Sequence, residues 1–135
     1  VGQASACPWR ARLARLPRFF CRRDATIVFV QDNVRQALAE LRRRFEALYG
    51  NRLVHLILYG SQARGDARPW SDIDLLVVLR GEVNEWEESH RTEAIIGDVC
   101  LEFDVVIICF FVGEAEYLSG DGGLLRSVRQ EGVPV

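Results

Sequence analysis

Leu53–Tyr59 and Asp72–Leu79 are short apolar runs bounded by polar segments, and both read as strands. The connection between them opens on Gly60-Ser61, and the second run opens on Asp72-Ile73-Asp74. Side chains alternate along a strand, so Asp72 and Asp74 share one face while Ile73 and Leu75 turn to a core on the other. Any fold for this chain must leave that face open where the carboxylates emerge. Two such charges at ~4 Å and an effective dielectric near 20 repel by about 4 kcal/mol. A chain keeps such a pair readily where something positive bridges it.

A third run, Glu102–Phe111, reads as a strand carrying Asp104 among apolar neighbours. A lone carboxylate there is unfavourable; beside Asp72 and Asp74 it becomes a third ligand. Three oxygen donors suit Mg²⁺, which keeps waters and takes substrate phosphates as further ligands. Gly60-Ser61 supplies the anion side. Glycine lets a phosphate approach the backbone closely, and Ser61 opens a helical turn whose free N–H groups favour anions, unless it merely caps that turn. Arg64 and Arg68 lie on the same connection, within reach of phosphate oxygens. Trp70 and Tyr59 flank the motif; either could stack on a base, but packing is the expected role for both.

The remaining elements follow from periodicity. Val34, Leu38, Leu41, Phe45 and Leu48 form one apolar stripe over 33–49, with Asn33 and Gln36 as a capping box and Gly50 as the stop. Arg42, Arg43 and Arg44 fall off that stripe onto a solvated face. Asn84 caps a second helix with Glu87 as its partner, running to about Val99, its buried side drawn from Trp86, Ala94, Ile95 and Val99. A short helix near Ala115 and a last one over Leu124–Gln130, ended by Gly132, complete the order. The expected class is a small α/β or α+β domain, a mixed sheet flanked by helices.

Composition narrows the partners. Residues 1–50 hold ten Arg against four acids; residues 51–135 hold seven against fifteen. The half with the carboxylates is acidic and shows no basic groove with interleaved aromatics, so direct nucleic-acid binding is not expected. No apolar run approaches the ~20 residues that span a bilayer, and the four cysteines lack Cys-x-x-Cys spacing. Reduced cysteines in a cytoplasmic protein, off the membrane, are the expectation. Residues 1–28 read as a basic N-terminal extension and 29–135 as the domain.

Gly60-Ser61, ten residues, then Asp72-Ile73-Asp74 resembles the signature of the DNA-polymerase-β-like nucleotidyltransferase superfamily, and most closely its minimal nucleotidyltransferase branch. The ending Leu124–Val133 is similar to that branch as well. The resemblance implies that Gly60 and Ser61 hold the β- and γ-phosphates of ATP. It implies that Asp72 and Asp74 bind Mg²⁺, and that Asp104 serves a second ion and helps deprotonate the acceptor hydroxyl. Members of the branch are paired with HEPN-domain toxins and, as antitoxins, transfer AMP to a toxin tyrosine; the partner implied is thus a HEPN toxin, and a homodimer stays open. Two alternatives stand beside it: an adenylyltransferase for a small, aminoglycoside-like acceptor, and an antitoxin acting by binding alone.

Overall fold

The apolar stripe predicted over 33–49 forms helix α1, Asp32–Tyr49, in the computed structural model, which describes residues 30–135. The expected basic extension lies outside the described residues. The buried stripe is Val34, Ala37, Leu38, Leu41, Phe45 and Tyr49. Leu48, expected on that stripe, is 40% exposed, because the last step from Phe45 is four residues, to Tyr49. The expected capping box does not form. Gln31 is the N-cap residue, and Asn33 inside the helix donates to the Phe103 carbonyl at 3.3 Å. Gly50, at φ +51°, ends the helix as expected.

After a single 3-10 turn, Gly50–Arg52, the chain runs through β1 (Leu53–Tyr59), α2 (Gly60–Arg64) and β2 (Ile73–Leu79). Helix α3 (Glu85–Phe103) then leads to β3 (Ile107–Gly113). Two helices, α4 (Glu114–Ser119) and α5 (Gly123–Glu131), and a two-residue strand, β4 (Val133–Pro134), complete the chain. The sheet order is β3-β2-β1-β4, with β1 antiparallel to both β2 and β4, and β2 parallel to β3. This is the expected mixed sheet flanked by helices. The crossover from β2 to β3 is α3, which a parallel pair requires. Among the described residues no helix is long and apolar enough to cross a membrane.

Alternation divides the sheet into two buried faces. Leu56, Leu58, Ile73, Leu75, Val77 and Leu79 pack with Leu41, Phe45 and Val99 from α1 and α3. Ile57, Tyr59, Leu76 and Val78 pack with Tyr117, Leu125 and Val128 from α4 and α5. Because β2 is central and covered on both faces, its side chains from Leu75 to Leu79 are all buried.

Helix α3 is longer than predicted, and its contacts differ. Asn84 caps it through the Trp86 and Glu87 amides, as expected. Trp86 is 69% exposed and stacks on His90 instead of facing the core, and Ala94 is exposed too. The buried positions are Glu88, Thr92 and Val99. Glu88 accepts from the Tyr49 hydroxyl at 2.8 Å and pairs with Arg52 and Arg91 at 2.6 and 3.2 Å. Burial and this carboxylate hold the Tyr49 phenol above its ordinary pKa. Nor are the α1 arginines merely solvated: Arg44 pairs with Glu40 and with Asp98 and Glu102 of α3, and Arg42 donates to the Val135 carbonyl.

Glu88 therefore locks α3 to α1 through buried charge, and removing it strands its partners. Glu88→Ala is expected to cost about 2–3 kcal/mol in urea unfolding, and Glu88→Gln, which keeps the Tyr49 hydrogen bond, measurably less. A loss below ~0.5 kcal/mol for the alanine variant would show that the network contributes little.

Candidate functional site

The connection from β1 to β2 is built around a glycine that a side chain would destroy. Gly60 has φ +72°, a conformation that L-residues rarely adopt. A Cβ there would lie 2.6 Å from the Asp74 Oδ2. The cause is register: Tyr59 pairs with Asp74 across β1 and β2, so the residue after Tyr59 faces the carboxylate. Gly60 is thus required by Asp74, independently of any phosphate.

Tyr59 is the N-cap residue of α2 and makes no side-chain cap bond, so capping is not what Ser61 does. The Ser61 carbonyl instead accepts from the Gly65 and Asp66 amides at 3.1 and 3.2 Å, closing the turn, with Gly65 in the left-handed region at φ +78°. Gln62, 6% exposed, donates its Nε2 to the Ser71 carbonyl at 3.2 Å. Ser71 is tied again: its amide donates to the Arg68 carbonyl at 3.0 Å, and its hydroxyl accepts from the Arg68 amide at 2.8 Å. The residue before Asp72 is therefore pinned from both sides.

Asp72 is exposed and Asp74 half-buried, on the same side of β2 as expected. The Asp74 carboxyl has a raised pKa, first from burial, then from the charge on Asp72; Arg64 opposes the rise. The same surroundings act on Tyr59, which is 8% exposed and packed as expected; burial, then Asp74, pushes its hydroxyl up to about 12. Arg64 lies near enough to act on Asp74, yet its guanidinium pairs with Asp66 at 3.3 Å and with Glu131 at 3.1 Å. Arg68 is exposed on the loop.

Asp104 departs from expectation. The predicted strand Glu102–Phe111 starts only at Ile107, because α3 continues to Phe103. Asp104 is the C-cap residue of α3, left-handed at φ +53°, and exposed rather than buried in an apolar strand. The parallel register sets Ile108, not Asp104, beside Asp74. Among the described residues no group of three or more His, Cys, Asp and Glu side chains is placed to hold a metal ion. The structure brings Gly60, Asp72 and Asp74 together and puts Arg64 at their margin, with Ser61 next to Gly60 in the chain and Asp104 at the end of α3.

Two further residues shape the site without having stood out in the sequence: Gln62 and Glu131. Gln62 carries no periodic signal, since its partner is a backbone carbonyl. Glu131 lies in a C-terminal segment whose resemblance was noted but whose place was not. Gly132 beside it sits where a Cβ would meet Ile57 Cγ2 at 2.7 Å, and Val133 and Pro134 pair with Leu58 and Ile57. That close approach carries Glu131 to Arg64.

A model of the nucleotidyltransferase domain family matches residues 38–121, well over half of the chain. A Methanocaldococcus jannaschii protein named "putative protein adenylyltransferase" is 35% identical over 66 residues, 49% of this chain. The match spans only 43% of that relative's length. A Sulfolobus solfataricus crystal structure, described as a "putative nucleotidyltransferase", aligns with a TM-score of 0.49 at 21% identity, over 84% of this chain and 89% of the other.

The raised pKa of Asp74 has a defined sign. The folded state binds this proton more tightly than the unfolded chain, so stability falls as pH rises through the window between the two values. At neutral pH the ionised, metal-free carboxylate destabilises the fold. In EDTA at pH 7, Asp74→Asn is expected to melt higher than the parent. The gain should vanish as pH falls below the ordinary carboxylate value, about 4. A lower midpoint at pH 7 would contradict this.

Proposed function

The chain belongs to the nucleotidyltransferase domain family, and we propose that it is a Mg²⁺-dependent adenylyltransferase moving AMP from ATP to a polypeptide hydroxyl. The acceptor proposed is a tyrosine of a HEPN-type toxin, for which this protein acts as antitoxin in the cytoplasm. The observation that carries the reading is the packing of Gly60 against Asp74 with Asp72 beside it. It sets two carboxylates, which repel each other in the absence of a cation, directly against the turn that opens at Gly60-Ser61.

Asp72 and Asp74 fit a hard divalent cation by donor type and by their mutual charge. Bound there, Mg²⁺ would neutralise phosphate oxygens and steady the attacking and leaving oxygens of an in-line displacement. The rest belongs to the chain. Gly60 and Ser61 offer backbone groups to the β- and γ-phosphates. Arg64 is proposed to hold a phosphate oxygen by exchanging one of its two carboxylate partners for it. The acceptor oxygen attacks the α-phosphorus, the bond to the β-phosphate oxygen breaks, and pyrophosphate leaves. Asp104 is proposed to take the hydroxyl proton. Asp104 ends α3 two residues before the Val106 carbonyl, which accepts from the Ile73 amide at 2.8 Å beside the carboxylate pair. The name of the M. jannaschii relative supports a protein acceptor.

Incubation with ATP, Mg²⁺ and a HEPN-domain protein should add AMP to that protein, seen by mass spectrometry on a tyrosine. Asp72→Asn with Asp74→Asn should abolish the adduct, and Asp104→Asn tests the proton assignment. Inhibition of the partner without added mass would instead establish an antitoxin that acts by binding. Adenylylation of an aminoglycoside in place of the protein would establish a small-molecule enzyme.

A further inference from the structure

Trp70 was expected to pack, and it does not: it is 86% exposed, two residues before Asp72. Exposed apolar side chains are ordinary on a protein surface. What sets this one apart is how firmly its backbone is held. Residues 68–71 form a β-turn closed by the Ser71 amide on the Arg68 carbonyl at 3.0 Å, with Pro69 fixing the first corner. The Ser71 hydroxyl accepts from the Arg68 amide, and buried Gln62 grips the Ser71 carbonyl. A hydrogen-bonded turn thus carries a solvated indole two residues before Asp72.

The order of groups along the site suggests what the indole meets. Gly60 touches Asp74, Asp72 lies one alternation further along the strand, and Trp70 lies a further two residues out, at most ~7 Å of chain. A nucleotide whose terminal phosphates rest at Gly60-Ser61 and whose α-phosphate meets Asp74 and Asp72 sends its nucleoside toward Trp70. We propose that Trp70 is the base-stacking residue of the nucleotide site, taking the purine of a nucleoside triphosphate on its exposed face. This rests on the nucleotidyl-transfer reading above. Stacking is tolerant of base identity because every base has a π-face, so Trp70 sets affinity for a nucleoside rather than a choice among purines.

The test uses the full chain with Trp9→Phe and Trp86→Phe, leaving Trp70 as the one indole of the three. Titration with ATP and Mg²⁺ should quench its emission, while inorganic tripolyphosphate with Mg²⁺ should bind and quench little. In the parent chain, Trp70→Ala should weaken ATP binding about tenfold or more and leave the tripolyphosphate Kd unchanged, with Trp70→Phe restoring most of the loss. Unaltered ATP affinity in Trp70→Ala would overturn the assignment. An equal loss for ATP and tripolyphosphate would overturn it too, since that marks a purely structural role. If the parent binds neither ligand, the nucleotidyl-transfer reading fails, and this assignment fails with it.

Discussion

The contact between Gly60 and the Asp74 carboxylate depends on one register, Tyr59 opposite Asp74, and most of the site depends on that contact. Antiparallel pairing of β1 with β2 puts the end of one strand beside the start of the next. A one-residue slip would turn Asp72 and Asp74 into the apolar face and Ile73 and Leu75 out of it. The register is held by burial: Leu58 and Leu75 are paired and fully buried, as are Ile57 and Leu76 on the opposite face. The hydrophobic core is thus what keeps two like charges together.

Secondary contacts then fix the surroundings. Gln62 and Ser71 brace the loop into Asp72, and the C-terminal turn through Gly132 and β4 carries Glu131 to Arg64. The Arg64–Glu131 pair is half-exposed, so its worth to stability is small. Its effect is positional: it stations a guanidinium beside the carboxylates without committing it to them.

The sequence carried the pattern of this site better than its detail. The strands around Gly60-Ser61 and Asp72-Ile73-Asp74 were legible because a period of two and a glycine are local signals. Asp104 was misplaced because Val105–Val112 is apolar throughout, and such a run does not say where a helix stops and a strand begins. Phe103 stayed in the helix, and Asp104 took the left-handed position often given to glycine. Glu88 went unseen because an acid on a helix reads as solvated until its partners, Tyr49 and Arg52, are brought to it by folding. Packing is the expectation for Trp70 beside the motif and for Trp86 on the buried side of α3, whereas the turn at 68–71 and the helix phase leave both outside.

The central claim is that Asp72 and Asp74, set against Gly60, form a metal–nucleotide site. Thermal melts in EDTA, in Mg²⁺ alone, and in Mg²⁺ with ATP test it most directly, because a ligand that binds the folded state stabilises it by RT ln(1 + [L]/Kd), about 2.7 kcal/mol at a hundredfold excess over Kd. The account predicts the lowest midpoint in EDTA and the highest with Mg²⁺ and ATP together. One midpoint shared by all three conditions would contradict it.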